Sequence, residues 1–210
     1  MVLRVLGVSG SPRAGGNTDT LLSYILRLFE ERGFEVEMIA LRNLRISHCA
    51  SCRKCVSTGR CVIEDDAIEL CAKMLKSHVI VIATPVHFDN VSSLVKTFFD
   101  RTWWLRGRLS YRVGLAAAVG RGYGLDSAIA AIHSFMLKHG IVLCHRGVRA
   151  RAYEAGEVLR DSQALRDAES AVNHVSKVAR ALWQSSDPEL SSSISLGRPH
   201  HSPPQRYSQR

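Results

Sequence analysis

His78-Val79-Ile80-Val81-Ile82-Ala83 runs directly into Thr84-Pro85-Val86-His87-Phe88-Asp89-Asn90. Four β-branched residues in an unbroken apolar run describe a strand covered on both faces, the situation of a strand inside a parallel sheet. The proline and the polar residues after it end the strand in a loop. The same alternation extends in both directions. Upstream, Val2–Val8 is an apolar first strand, and Asn17 or Thr18 is expected to cap a helix carrying Leu21, Leu22, Ile25 and Phe29 at helical spacing. Gly33 ends that helix, Val36–Ala40 reads as a second strand, and Asp66–Lys76 reads as a helix with Ile68, Cys71, Ala72 and Leu75 on its apolar face. Downstream come a helix over Val91–Trp104, a fourth strand over Arg112–Val119, a helix over Leu125–His139, a fifth strand over Ile141–His145 and a last helix over Ser162–Trp183. Strands alternating with helices in this way predict an α/β fold, a doubly wound five-stranded parallel sheet. One domain spans residues 1–183, and the Ser/Pro/Arg/His-rich segment 184–210 reads as a disordered tail.

Sheets of this kind bind ligands at the carboxyl ends of their strands, near the point where strand order switches. The loop after the first strand, Gly7-Val8-Ser9-Gly10-Ser11-Pro12-Arg13-Ala14-Gly15-Gly16-Asn17-Thr18, has the composition of a phosphate cradle. Its glycines let backbone N–H groups approach an anion. Ser9, Ser11 and Thr18 offer hydroxyls, Asn17 an amide and Arg13 a charged fork, and a helix N-terminus follows. The Gly-Lys-Ser/Thr ending of a Walker A loop is missing, and so is the dinucleotide pattern G-x-G-x-x-G.

Four cysteines, Cys49, Cys52, Cys55 and Cys61, fall in the segment 44–62 between the second strand and the next helix, spaced C-x2-C-x2-C-x5-C. Soft thiolates select zinc, copper(I) or iron–sulfur clusters. Structural zinc sites pair two separated C-x2-C knuckles, whereas the first three cysteines here share one compact run, as in ferredoxins. Without a second run, Cys61 must complete the same site if a cluster forms. Zinc and empty thiols remain the alternatives. His48, beside Cys49, could ligate but reads better as a residue behind the ligands or on the surface, Asp65 and Asp66 read as a helix cap, and Cys71 and Cys144 as core thiols.

The chain has 210 residues, 46% of them hydrophobic, and a formal net charge of +9. The tail carries Arg198, Arg206 and Arg210 against Asp187 and Glu189, so the body retains +8 (9 − 1). No basic run, zinc-finger histidine pair or recognition-helix pattern points to nucleic acid. A basic surface also suits an acidic protein partner or a phosphorylated cofactor. No apolar run approaches bilayer length and the N-terminus lacks the form of a signal peptide, so no membrane association and a cytoplasmic location are expected.

Gly10-Ser11-Pro12-Arg13 with Gly16-Asn17-Thr18, then Thr84-Pro85-Val86-His87-Phe88, then Lys96 to Asp100-Arg101, together resemble the NADPH-dependent FMN reductase family of the flavodoxin-like superfamily. With the cysteine run inserted after the second strand, the chain is similar to the iron–sulfur flavoproteins within that family. The resemblance implies a flavodoxin-like sheet. It implies FMN held by Ser9, Ser11, Arg13, Gly16, Asn17 and Thr18 at its phosphate, and by Pro85, Val86, His87, Phe88 and Asn90 around its ring. By position, Gly120 and Gly122 of Gly120-Arg121-Gly122-Tyr123-Gly124 form a third flavin loop. It implies a 4Fe–4S cluster on Cys49, Cys52, Cys55 and Cys61. It further implies electron transfer from ferredoxin or NAD(P)H and a homodimer or homotetramer. No side chain is singled out as a catalytic acid or base. Against this stand an NAD(P)H-dependent FMN or quinone reductase whose cysteines hold zinc or nothing, and a flavodoxin-fold regulator sensing redox state through its thiols. Trp103 and Trp104 are expected to end a helix and pack in the core or between subunits.

Overall fold

The computed structural model describes residues 1–184. The tail expected over 184–210 lies, apart from Gln184, outside the described residues.

Six parallel strands form one sheet. They are β1 (Arg4–Ser9), β2 (Glu35–Ala40), β3 (Val79–Pro85), β4 (Val113–Gly120), β5 (Val142–Leu143) and β6 (Val148–Arg151). The order is β2-β1-β3-β4, with β5 and β6 both pairing the outer edge of β4. The helices are α1 (Asn17–Glu30), α2 (Lys54–Thr58), α3 (Asp66–Lys76), α4 (Ser93–Arg101), α5 (Leu125–Lys138) and α6 (Ser162–Trp183). Alternation along β3 shows why both faces are covered. Val79, Val81 and Ala83 pack into the core shared with α1 and α6, while Ile80 and Ile82 pack into the core shared with α3, α4 and α5. None of the described helices is long and apolar enough to cross a membrane.

Five local expectations are corrected. The fifth strand is not the single segment Ile141–His145. Val142 and Leu143 pair with Val113 and Gly114, the chain then leaves the sheet edge, and it returns as Val148–Arg151 beside Ala117–Gly120. Gly147 makes the return at φ +89, where a Cβ would stand 2.8 Å from Ile129 and 3.2 Å from the Ala116 carbonyl oxygen. The fully buried face of α3 is Ala67, Leu70, Cys71 and Met74; of the expected stripe Cys71 is among them, Leu75 packs half-buried against the same core, and Ile68 and Ala72 lie outside that face. Gly16 occupies the N-cap of α1, without a side-chain cap, and Asn17 is the first helical residue. Helix α4 begins at Ser93, capped by the Ser92 hydroxyl, and ends at Arg101, and the two tryptophans continue in a separate 3-10 turn, Trp103–Leu105. Cys71 is fully buried as expected, whereas Cys144 is only half-buried.

The loops at the switch point between β1 and β3 are zipped together. Gly10 donates its N–H to the Ala83 carbonyl at 2.8 Å and its carbonyl accepts the Ser92 hydroxyl at 2.7 Å. A Cβ on Gly10 would lie 2.1 Å from Val95 Cγ2, so only glycine lets α4 come this close.

At the end of α5, His139 is 3% exposed, with Nε2 2.9 Å from the Thr102 hydroxyl and its ring edge-on to Phe135. Burial lowers its pKa to about 4. The unfolded chain therefore takes up a proton at this site near pH 6.5 and the folded chain only near pH 4, so stability falls as pH drops through that window. The shift corresponds to on the order of 3 kcal/mol. His139→Gln should flatten the pH dependence of denaturant unfolding between pH 6.5 and 4 by about that amount; an unchanged profile would refute this assignment.

Candidate functional site: two neighbouring loops and a cysteine cavity

The phosphate-type loop is stiffened by its own side chains. Asp19, buried in the first turn of α1, accepts the Ser9 hydroxyl at 2.5 Å and the Gly15 N–H at 2.9 Å, and pairs with Arg42 at 2.9 Å. Ser9 Oγ also accepts the Ser11 N–H at 3.2 Å, and Ser11 Oγ accepts the Arg13 N–H at 3.1 Å while donating to the Arg13 carbonyl at 2.9 Å. Both hydroxyls are thus engaged in shaping the loop. The uncapped first turn of α1 begins at Gly16, with the buried Thr18 beside it and the exposed Arg13 on the rim. Asn17 points elsewhere: its Nδ2 donates to the Glu154 carbonyl at 2.8 Å and its Oδ1 accepts the Val158 N–H at 3.3 Å, fastening the segment after β6 to the loop. Asp19, Arg42 and the Glu154–Val158 segment were not singled out from sequence. An acidic residue in a helix's first turn was the one available signal.

The loop after β3 closes as a tight turn. His87 and Asn90 exchange both backbone hydrogen bonds, at 2.9 and 3.0 Å, with Phe88 (φ +47) and Asp89 (φ +57) at the corners. Left-handed backbone at two successive non-glycine residues is unfavourable, and such strain concentrates at functional sites. The turn leaves the Phe88 ring fully exposed, with His87 and Asn90 also exposed and Pro85 and Val86 half-buried. Asn90 Oδ1 accepts its neighbour's N–H, from Val91, at 2.8 Å.

The loop after β4 leans on that turn. A Cβ on Gly120 would stand 3.0 Å from Val86, and one on Gly124 (φ +65) 2.6 Å from the Asp89 backbone, so both glycines are required for contact between the loops. Gly122 (φ +120) faces outward to Arg151, and the Arg121 guanidinium carbon lies over the Tyr153 ring, 3.6 Å from its centroid.

The cysteine loop wraps the far end of α4. All four cysteines line one small cavity together with Arg101, Trp103 and Trp104. Cys55 rides on the short helix α2, entered through Arg53 (φ +57) and left through Gly59 (φ +68), which returns the chain toward Cys61. The thiols frame this cavity rather than converge on a point; among the described residues, no three Cys, His, Asp or Glu side chains are grouped for a single metal ion. The Cys55 thiol is pushed up by burial and then by Cys61, Cys52 and Cys49, as expected where ionised thiols crowd one another. Cys71 is pushed up to about 12 by burial and stays an inert core thiol.

Arg101 anchors the loop. Its side chain is wholly buried, holds Asp65 through two nitrogens at 2.6 and 3.0 Å, and donates to the Ser47 and Ile63 carbonyls at 2.8 and 3.0 Å. Asp65 also caps α3 through the Ala67 N–H at 3.1 Å and accepts the Ser47 N–H at 2.9 Å. Burial alone would raise the Asp65 pKa, but the Arg101 bonds and these two N–H groups hold it below the usual carboxylate range. Burial likewise opposes the charge on Arg101, while Asp65 and the nearby Cys61 hold its pKa up.

The fold with its paired loops and the four-thiol cavity agree with what this chain is similar to. The family model described as NADPH-dependent FMN reductase matches residues 3–152. An iron–sulfur flavoprotein of Methanocaldococcus jannaschii is 33% identical over 191 residues, covering 86% of this chain and 99% of its own length. The chain belongs to the iron–sulfur flavoproteins of the NADPH-dependent FMN reductase family. A second iron–sulfur flavoprotein, from Methanosarcina thermophila, is 35% identical over 67% of this chain and 76% of its own. Among solved structures, RosB with bound 8-demethyl-8-formylriboflavin-5′-phosphate aligns with a TM-score of 0.74 at 16% identity, covering 96% of this chain and 88% of its own. An NADH:FMN oxidoreductase in its apo form aligns at 0.64 and 17% identity, covering 90% and 94%. These two likenesses speak for the flavodoxin-like fold. For an iron–sulfur flavoprotein the donor set fits: four thiols line the cavity, and the carboxylate on its lining, Asp100, is paired with Lys96 at 2.6 Å.

Breaking a buried ion pair by neutralising one partner costs about 3–5 kcal/mol, because the other charge stays buried. Asp65→Asn is therefore expected to destabilise the chain strongly at pH 7. Because the folded-state pKa of Asp65 is depressed, its contribution is present above the ordinary carboxylate range and is lost as pH falls through the folded value. Chemical denaturation of both proteins should show the gap closing below about pH 4; a gap independent of pH would count against the ion pair as its source.

Proposed function

We infer that this chain is an FMN-dependent electron-transfer oxidoreductase carrying a 4Fe–4S cluster, passing electrons between a donor such as ferredoxin or NAD(P)H and an acceptor. The observation that carries this reading is the placement of the four-cysteine cavity at one end of α4, whose other end adjoins the loop after β3. FMN exchanges electrons in pairs or singly and a cluster moves them singly, so the two together join one-electron and two-electron partners.

The chain's own residues hold and orient. The N–H groups at the start of α1, with Thr18 and Arg13, are the donors for the FMN phosphate, and Asp19 with Arg42 keeps their loop in shape. Ser9 and Ser11 act through the loop they brace, and Gly16 keeps the helix entrance clear. Backbone groups of Pro85, Val86 and His87, with Phe88 and Asn90, line the ring, and Gly120 brings the third loop against them. Gly122, which faces Arg151, lies on the outer rim of this cleft. Cys49, Cys52, Cys55 and Cys61 hold the iron. The net charge of +8 on residues 1–183 favours an acidic donor protein (9 − 1, from the charges of the whole chain and of the tail). Assembly as a homodimer or homotetramer and a cytoplasmic location belong to the same reading.

Anaerobically purified protein is expected to contain FMN, iron and acid-labile sulfide. Cys52→Ser should lose iron and sulfide while keeping FMN, and Cys71→Ser should keep all three. Stoichiometric zinc without iron would overturn the cluster. Asp19→Asn removes the charge paired with Arg42, and flavin fluorescence titration should show FMN bound about tenfold more weakly, the loss of a charge-assisted contact of about 1.4 kcal/mol; unchanged affinity would remove Asp19 from the site.

A further inference from the structure

Arg101 has five N–H donors, and four polar contacts account for its two terminal nitrogens: Asp65 Oδ2 and the Ser47 carbonyl at Nη1, Asp65 Oδ1 and the Ile63 carbonyl at Nη2. Its Nε–H is buried and has no partner. An orphaned N–H on a buried cation is costly, and a partner absent from the bare chain is one of the ways native structures account for such a group. Arg101 lines the cavity that the four cysteines share, and its Nε–H is bonded to none of them. The guanidinium has no freedom to turn away. Asp65 holds it as a fork, and Asp65 is itself fixed by the Ser47 and Ala67 N–H groups.

Resting on the cluster reading above, we propose that Arg101 sets the reduction potential of that cluster, its Nε–H donating to the Cys61 sulfur or to a sulfide filling the cavity. Asp65 is the positioning residue that aims it. Four thiolates give the cavity a strongly negative lining, and one further electron makes it more negative by one charge. A fixed N–H and a cation in a dry site stabilise that added charge without a proton being taken up. Asp65 lies behind the guanidinium and opposes its charge. The pair therefore acts as an oriented dipole with its positive end at the cavity.

The two residues have opposite expected effects. In anaerobic, EPR-monitored redox titrations of the iron-loaded proteins, Arg101→Gln should shift the cluster midpoint to more negative potential. At the wild-type midpoint the reduced-to-oxidised ratio should fall about tenfold, which is about 59 mV for one electron. Asp65→Asn keeps the helix-capping oxygen, leaves the cation unopposed, and should shift the midpoint the other way. A purely structural role would make both variants lose iron without moving the potential of what remains. If either single variant fails to fold, the double variant Arg101→Met/Asp65→Asn removes both charges together, a replacement buried pairs tolerate, and its midpoint should still lie below that of the wild type. An unshifted midpoint in Arg101→Gln or in the double variant overturns the proposal while leaving the cluster reading intact. Absence of iron from the wild-type protein overturns both.

Discussion

The guanidinium of Arg101 meets the cysteine loop at three points, the Ser47 carbonyl before the first cysteine and the Ile63 carbonyl and Asp65 carboxylate after the last. A segment of this composition has little apolar surface of its own, and Cys49 and Cys52 remain exposed. It cannot fold by burying a core, so its geometry must be imposed from its two ends. One buried cation that receives both ends closes the loop, and the entropy of that closure is offset by charge-assisted bonds in a site sheltered from water. The loop also leans on Trp103 and Trp104, which line its cavity because α4 stops at Arg101 and the chain tightens into a 3-10 turn.

The same logic of fixing a loop from outside governs the phosphate-type loop, with the charges reversed. There a buried carboxylate, Asp19, gathers the Ser9 hydroxyl, the Gly15 N–H and the Arg42 guanidinium. A negative group beside a site for an anion would repel it if left bare. Paired with Arg42 it is neutralised, and what remains is its power to hold the backbone still. The first-turn N–H groups of α1 are then presented by a preorganised frame, so little ordering is left for binding to complete.

How far the chain could be read in advance follows from where the determining contacts lie in sequence. The run His78–Ala83 announced a doubly covered strand because both of its faces are apolar, and that property is local. The Asp66–Lys76 and Ser162–Trp183 helices were equally legible from local signals; Asp65 was expected at a cap, and the structure adds Asp161 as the cap of the second. The inward face of Asp66–Lys76 was only partly legible, because Ile68 is as apolar as Leu70 and Met74, and only packing on the sheet decides between them. The break between β5 and β6 depends on Gly147 meeting Ile129 and Ala116, contacts invisible in a local window. Motif spacing located both loops and the thiols, but not the division of labour within them. Ser11 and Asn17 carry the right chemistry for a phosphate, yet Ser11 braces its own loop and Asn17 reaches 137 residues along the chain to Glu154. Arg101 was quoted within a motif, and its meaning came from Asp65, 36 residues away.

Helix α4 joins the two halves of the site. Its N-terminus is fixed to the first loop by Ser92 on the Gly10 carbonyl, and its last residue is the arginine that closes the cysteine loop. Ser93 to Arg101 is eight residue steps, so the axial separation between these ends is about 12 Å at 1.5 Å per residue. Any change in helix length would rotate Arg101 by about 100° per residue away from Asp65 and uncouple the cavity from the loops. The helix therefore fixes both the spacing and the angular phase of the two regions. That constraint explains why Gly10 admits no side chain. A methyl group there would push α4 outward at Val95, and the displacement would be carried down a rigid helix to the guanidinium that orders the thiols.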